Sequence, residues 1–127
     1  MDYKVNVAII GAGTAGLSAL SQVRKKTDDY LLINGGELGT TCARVGCMPS
    51  KVMIQTANDY FRRLELPGRG IHGQNELRID SREVLTHLRQ LRDGFVKGVV
   101  EHLVEPSRDK LILGYAEFLE PTVLQVG

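Results

Sequence analysis

The chain has 127 residues, of which 16 are basic and 15 are acidic, so its formal charge at pH 7 is only +1. The charges are mixed along the sequence, and such a balance excludes a basic face for nucleic acid. The apolar run over residues 5–10 is far too short for a membrane span or a secretory signal. We therefore expect a cytoplasmic protein with neither nucleic acid nor membrane among its partners.

The first half of the chain has the pattern of a parallel α/β unit. Residues 5–10 are a β-branched run that predicts a buried strand, residues 15–26 have the apolar spacing of a helix, and Tyr30–Asn34 predicts a second strand. A strand, a glycine turn, a helix and a strand in this order are typical of the start of a parallel sheet. Residues 35–41 are then expected to form a loop, and a helix is predicted over residues 49–64.

The second half predicts one long helix and two strands. Asp80, with Glu83 three positions later, is a capping-box arrangement that starts a helix. Apolar residues follow at steps of three and four, and the helix is predicted to end before Pro106. Strand character returns over residues 111–118 and again over residues 123–126. Two strands at each end make a poor closed sheet, so we expect a domain that is incomplete as given.

Three glycines stand where the first strand meets the first helix. Gly11, Gly13 and Gly16 have the spacing G-x-G-x-x-G, in which the first makes the turn, the second admits a pyrophosphate and the third lets the helix pack on the strand. We therefore predict a dinucleotide site rather than a plain strand-to-helix turn. An acidic residue is expected about 20 positions later to bind the ribose. This chain has Asn34 there, which can still hydrogen-bond a ribose hydroxyl, and Glu37 is the nearest carboxylate.

Both cysteines of the chain, Cys42 and Cys47, lie five positions apart. An undistorted helix would hold their Cα atoms about 7.5 Å apart, beyond the roughly 7 Å that a disulfide spans, but Gly46 would permit a distortion. A zinc site, two inert thiols and a structural disulfide are alternatives. A redox-active pair explains more residues, because Cys47 lies near a helix start whose dipole stabilises a thiolate and Lys51 adds a positive charge.

The glycine fingerprint, the second strand and the segment GTTCARVGCMPSK together resemble the N-terminal portion of the class I pyridine nucleotide-disulfide oxidoreductases, which are FAD flavoproteins. The resemblance implies an α/β, Rossmann-like fold with a parallel sheet and long helices. Residues 1–127 would be the N-terminal part of an FAD/NAD(P)-binding domain. The other domains, including the one that forms the family's homodimer, would be absent from this chain, and this part alone would be inactive.

The resemblance also implies roles for single residues. The three motif glycines would hold the FAD pyrophosphate. Cys42 would be the interchange thiol, Cys47 the charge-transfer thiol beside the isoalloxazine ring, and Lys51 a neighbour of the reactive flavin edge. Two further cofactor contacts are implied, for Thr41 near the phosphates and for Ala116 in the segment GYAEFLEP, which resembles the family's adenine-contacting strand.

The activity that the resemblance implies is electron transfer between a small-molecule or protein-bound dithiol or disulfide and NAD or NADP, through FAD and a redox-active Cys42–Cys47 disulfide. Pro-Ser-Lys after the second cysteine favours the dihydrolipoamide dehydrogenase type. Enzymes like mercuric or glutathione reductase, and a nucleotide-binding redox sensor without turnover, are alternatives. The chain departs from the family pattern at Asn34, where Glu is usual, and at Thr40, where a second glycine is usual.

Overall fold

The computed structural model describes residues 2–127 and has the expected α/β fold. The strands are β1 (Val7–Ile10), β2 (Tyr30–Asn34), β3 (Leu111–Leu113), β4 (Ala116–Glu120) and β5 (Val123–Val126). The α-helices are α1 (Thr14–Val23), α2 (Thr41–Val45), α3 (Cys47–Phe61) and α4 (Ser81–Val99). Turns of 3-10 helix lie at Arg62–Leu64, Pro67–Arg69, Gln74–Glu76 and Glu105–Lys110, and a π-helical turn follows α4 at Val100–Val104.

β1, β2 and β3 form a parallel sheet with β2 in the centre. Ile10 pairs with Ile33, and Asn34 pairs with Leu113, so the three strands end at one edge of the sheet. Open α/β sheets bind their ligands outside the carboxyl ends of the strands. The glycine turn and the end of β2 therefore lie at the edge where a ligand is expected.

The core lies between the parallel sheet, α1 and the end of the π-helical turn. It contains Leu17 and Leu20 from the predicted apolar face of α1, Leu32 from β2, and Val104. Beside it, the hydroxyl groups of Tyr30 and Ser107 are hydrogen-bonded at 2.8 Å, and both residues are buried. Buried polar groups are tolerated when each has a partner. This pair ties the start of β2 to the segment that follows α4.

The single strand predicted over residues 111–118 is wrong. The chain forms β3, which joins the parallel sheet beside β2, and then turns at Gly114 before β4, which pairs antiparallel with β5. The first of the later strands thus completes a three-stranded sheet with the two from the start of the chain. The apolar character of the sequence continues through the break, so hydropathy alone could not place the turn there.

Helix boundaries also differ from the predicted ones. α3 begins at Cys47 and continues past Phe61 as a 3-10 turn, and the predicted loop gives way to α2 at Thr41. Asp80 caps α4 as predicted, since its Oδ1 accepts the N–H groups of Arg82 and Glu83. Helical structure continues past Pro106, because proline is tolerated in the first turn of the 3-10 helix that follows.

α4 is the longest helix that the structure describes, and its sequence alternates apolar and charged residues. Within residues 2–127, none of the helices combines the length and the apolar character that crossing a membrane requires.

Candidate functional site

The glycine turn after β1 has the backbone that its spacing predicts. Gly11 has a φ of +93°, which glycine adopts without steric cost, and it donates its N–H to the carbonyl oxygen of Ile33 at 2.7 Å. A Cβ atom on Gly16 would lie 1.7 Å from the carbonyl oxygen of Gly11. Only glycine at position 16 therefore lets α1 pack this closely on the turn.

Gly13 faces open space at the start of α1. Apart from its chain neighbours, no described atom lies within 4 Å of the place where its Cβ would be. Within the described residues no side chain caps α1, so the N–H groups of its first turn are available. A free helix N-terminus carries a partial positive charge and suits a phosphate. The turn thus has both the space and the donors that a pyrophosphate needs.

Asn34 ends β2 beside the glycine turn, and both polar atoms of its side chain are bonded. Its Oδ1 accepts the N–H of Ala12 at 2.9 Å, and its Nδ2 donates to the carbonyl oxygen of Gly36 at 2.6 Å. Its own carbonyl oxygen accepts the N–H of Gly114 at 3.0 Å, which brings the strand that begins with Ala116 to the same edge of the sheet. The predicted contacts of Asn34 with ribose and of Ala116 with adenine stay predictions.

Cys42 and Cys47 form a disulfide whose Cα atoms are 5.0 Å apart. Cys42 lies in α2, Cys47 is the first residue of α3, and Gly46 joins the two helices. A continuous helix would separate the Cα atoms by about 7.5 Å, so the bend at Gly46 makes the bond possible. The helix is interrupted at Gly46, the residue that the sequence marked as permitting a distortion. Because the sulfur atoms are bonded to each other, the alternative of two inert free thiols is wrong for this state.

Thr40 keeps the backbone path of a glycine although it is β-branched. It has φ +62° and ψ +148°, a region that residues other than glycine rarely adopt. Its Oγ1 accepts the N–H of Ala43 at 3.2 Å and so caps α2. Thr41, the predicted phosphate neighbour, is exposed at the first position of that helix. The departure from glycine therefore adds a cap to α2 and introduces backbone strain that glycine would not have.

A groove of about 350 Å³ opens at Cys42. One wall is α1, with Leu17 and Ser18, and the other is the end of α4 with its π-helical turn, which supply Val99 and Leu103. Apart from Cys42 of the disulfide, the residues that line the groove have apolar or hydroxyl side chains, and none of them is charged. The apolar periodicity predicted for the second half of the chain extends to Leu103, but it did not show that this residue lines the same groove as Cys42.

Lys51 lies four positions after Cys47, so both residues are on one face of α3. Both are exposed, and Lys51 also lines a second groove, of about 520 Å³, between α3 and α4. The first cysteine therefore opens to the groove beside α1, whereas the second shares a solvent-facing side of α3 with a lysine.

Two further sets of polar residues, an ion pair and the histidines, take no part in the disulfide. Glu37, the carboxylate nearest to the predicted ribose position, forms an ion pair with Arg44 of α2. The three histidines, His72, His87 and His102, are exposed. The described residues contain no group of three or more His, Cys, Asp or Glu placed to hold a metal ion.

Known proteins share this arrangement in part. The profile of the pyridine nucleotide-disulphide oxidoreductase family matches residues 5–115. Over 96% of its length the chain is 30% identical to a dihydrolipoyl dehydrogenase of Bacillus subtilis (strain 168), of which it covers 27%. Over 66 residues it is 39% identical to a mercuric reductase of Serratia marcescens, a match that covers 52% of this chain and 14% of that protein.

A similar fold occurs in a solved structure of the Cu(II) complex of the HOCl-induced flavoprotein disulfide reductase RclA from Escherichia coli. The TM-score is 0.72 at 21% identity, and the match covers 99% of this chain and 25% of that one. The chain thus spans about a quarter of the length of these proteins, 27% of the dihydrolipoyl dehydrogenase and 25% of RclA. Since the family profile includes the glycine turn and both cysteines, the chain belongs to the pyridine nucleotide-disulphide oxidoreductase family.

Proposed function

We propose that the protein is an FAD-dependent dithiol–disulfide oxidoreductase of the dihydrolipoamide dehydrogenase type, whose Cys42–Cys47 disulfide accepts two electrons from a dithiol. The observation that carries the proposal is the position of this disulfide. One of its cysteines, Cys42, lines a groove, and the other, Cys47, is the first residue of α3. The glycine turn that fits a pyrophosphate lies nearby. The groove at Cys42 is also lined by Thr14, the first residue of α1, so a dinucleotide bound at the glycine turn would lie beside the disulfide.

The chemistry of the pair is thiol–disulfide exchange. A thiolate of the substrate attacks Sγ of Cys42, the Cys42–Cys47 bond breaks, and its electron pair leaves on Cys47. The second thiolate of the substrate then attacks the substrate sulfur bound to Cys42 and releases Cys42 as a thiolate. The dithiol is oxidised to a disulfide, and the cysteine pair gains two electrons, while the two substrate protons pass to the cysteines or to solvent.

Cys47 is the better leaving group of the two sulfurs. It is the first residue of the 15-residue helix α3, and a helix N-terminus stabilises a thiolate by its partial positive charge. Lys51, one turn later on the same face, adds a full positive charge. Cys42, in the short helix α2, is half-buried beside the uncharged groove and suits the attack. The chain therefore distinguishes an entry sulfur from a leaving sulfur.

FAD fits the glycine turn, where Gly13 leaves the space for its pyrophosphate and the first turn of α1 supplies free N–H groups. Thr41 and Ala116 would hold its phosphate and adenine ends, and Lys51 would lie near its reactive edge. Bound there, FAD would supply the two-electron acceptor that links the cysteine pair to NAD or NADP. We extend the proposal to a homodimeric, cytoplasmic protein whose nicotinamide site and dimerisation domain lie outside these residues.

A mercuric reductase-like activity is the second candidate, and the 39% identity to a mercuric reductase over 66 residues favours it. The two candidates share the cysteine pair and differ in the substrate that it meets. Oxidation of NADPH that depends on Hg(II), with no turnover of dihydrolipoamide, would select this second activity.

Steady-state reduction of NAD by dihydrolipoamide, with the native full-length protein, tests the proposal. Cys42→Ser and Cys47→Ser should each lower kcat at least a thousandfold and leave the flavin content unchanged. Thr86→Ser, an exposed change on α4 that keeps the hydroxyl group, should have no effect. Turnover that survives Cys42→Ser, or loss of flavin in that variant, would contradict the assignment.

A further inference from the structure

Asn34 occupies the position of the acidic residue that fingerprints of this kind usually place at the ribose. Its side chain connects two turns that follow different strands. Oδ1 accepts the N–H of Ala12, the residue between the first two motif glycines, and Nδ2 donates to the carbonyl oxygen of Gly36. These two bonds use one acceptor site and one donor of the amide. They lie within the protein and need no ligand.

Ala12 is buried at 3% relative exposure, so its N–H has a strong need for a partner. Asn34 Oδ1 supplies that partner at 2.9 Å. The preceding N–H, that of Gly11, is bonded to Ile33 of β2. Two successive N–H groups of the glycine turn are thus fixed by the last two residues of β2, and the position of Gly13 follows from them.

The second bond of the side chain requires an amide. A carboxylate can accept the Ala12 N–H, but it has no hydrogen to donate to the Gly36 carbonyl oxygen, and it would repel that oxygen. The turn at Gly35 is confined further by the ring of Tyr115, because a Cβ on Gly35 would lie 2.5 Å from a ring carbon. The amide of Asn34 therefore braces a turn that an acidic residue at this position would leave unbraced.

We propose that Asn34 is a positioning residue of the dinucleotide site, which holds the glycine turn through Ala12 and the following turn through Gly36, rather than acting chiefly as a ligand of the ribose. The inference rests on the proposed FAD site and explains how the chain manages without the usual carboxylate. The replacement of the acid is then a change of mechanism at this position and not a loss of the site.

Hydrogen exchange of single backbone amides in the protein without added flavin tests the bonds directly. Asn34→Ala should raise the exchange rate of the Ala12 amide about tenfold, whereas Asn34→Asp, which keeps the acceptor, should leave it protected. Asn58→Ala, at an exposed site on α3, is the matched control and should change nothing at Ala12. An Ala12 amide that exchanges equally in the wild type and in Asn34→Ala would overturn the proposal.

Affinity for two flavins separates positioning from ribose binding. FAD is compared with an analogue whose adenosine ribose lacks the 2′ and 3′ hydroxyl groups. Asn34→Ala should weaken both by the same factor, about five- to tenfold, the effect of one ordinary hydrogen bond. Asn34→Asp should also weaken FAD, because the bond to Gly36 is lost. A loss for FAD that vanishes with the analogue would make Asn34 a ribose ligand and overturn the positioning role.

The two measurements fail separately. A wild-type protein that binds neither flavin would contradict the proposed function. The amide exchange of Ala12 would still decide whether Asn34 holds the turn.

Discussion

Gly46 lies against the carbonyl oxygen of Thr41, so closely that a Cβ atom at position 46 would be 2.9 Å from it. This close approach occurs at the bend between α2 and α3, and the bend brings the two cysteines together. Gly46→Ala should push the helices apart, lower the free energy of unfolding by about 1–3 kcal/mol and slow closure of the disulfide. Urea denaturation of the oxidised protein measures the free energy of unfolding. The rate at which free thiols disappear when the reduced protein is reoxidised measures closure of the disulfide.

Gly94→Ala is the matched control for that substitution. Gly94 lies inside α4, and apart from its chain neighbours and the backbone of its own helix no described atom is within 4 Å of the place of its Cβ. Alanine there should stabilise the protein by about 0.5–1 kcal/mol, since it is a better helix former. If Gly46→Ala were as stable as the wild type and re-formed its disulfide at the same rate, the contact with Thr41 would not shape the bend.

Gly13 and Gly16 should separate binding from folding. Gly13→Ala adds a Cβ in open space and puts alanine at the N-cap of α1, so the free energy of unfolding should fall by no more than about 1 kcal/mol while the affinity for FAD falls at least tenfold. Gly16→Ala adds a Cβ 1.7 Å from the Gly11 oxygen and should lose both stability and affinity. Thermal unfolding and flavin titration test the pair. Full FAD affinity in Gly13→Ala would mean that the pyrophosphate does not pass this residue.

Thr40 should be improvable by glycine and harmed by alanine. Thr40→Gly removes the strain of a positive φ, about 1–3 kcal/mol, and loses only a few tenths of a kcal/mol from the cap, so a net gain of about 1 kcal/mol is expected. Thr40→Ala keeps the strain and loses the cap, which should cost about 1 kcal/mol. Chemical denaturation of both variants decides the matter. Equal stabilities would show that the backbone at position 40 is relaxed.

Leu103 should control access to Cys42. It is 44% exposed and lines the uncharged groove, so Leu103→Lys should leave the stability within about 0.5 kcal/mol and raise KM for dihydrolipoamide about fivefold or more. Leu64→Lys, at a site 60% exposed after α3, is the control and should leave KM unchanged. An unaltered KM in Leu103→Lys would mean that the substrate reaches the disulfide by another path.

Much of the site could be predicted because its signals are local. The G-x-G-x-x-G spacing directly after a β-branched run predicted the turn and its helix, and Gly46 marked the place where a distortion could let Cys42 and Cys47 bond. In each case a single residue type meets a requirement of the adjacent backbone. Such requirements are visible in a short stretch of sequence.

Other features depend on partners far along the chain. The break at Gly114 depends on β3 pairing with β2, some 80 positions earlier, and the apolar run through it gave no sign of that. The π-helical turn at Val100–Val104 changes the register of α4 without changing its composition. The second bond of Asn34, to Gly36, could not be predicted from a pattern in which the residue is read only as a ribose contact.

The most direct test of the central claim is an anaerobic titration of the native-length protein with dihydrolipoamide, followed by its visible absorption spectrum and by alkylation of free thiols. A bound flavin, together with two new thiols per chain that map to Cys42 and Cys47 after one equivalent of dithiol, is the predicted result. A protein without flavin, or one whose flavin is reduced while both cysteines stay bonded, would contradict the claim that this disulfide is the entry point for electrons.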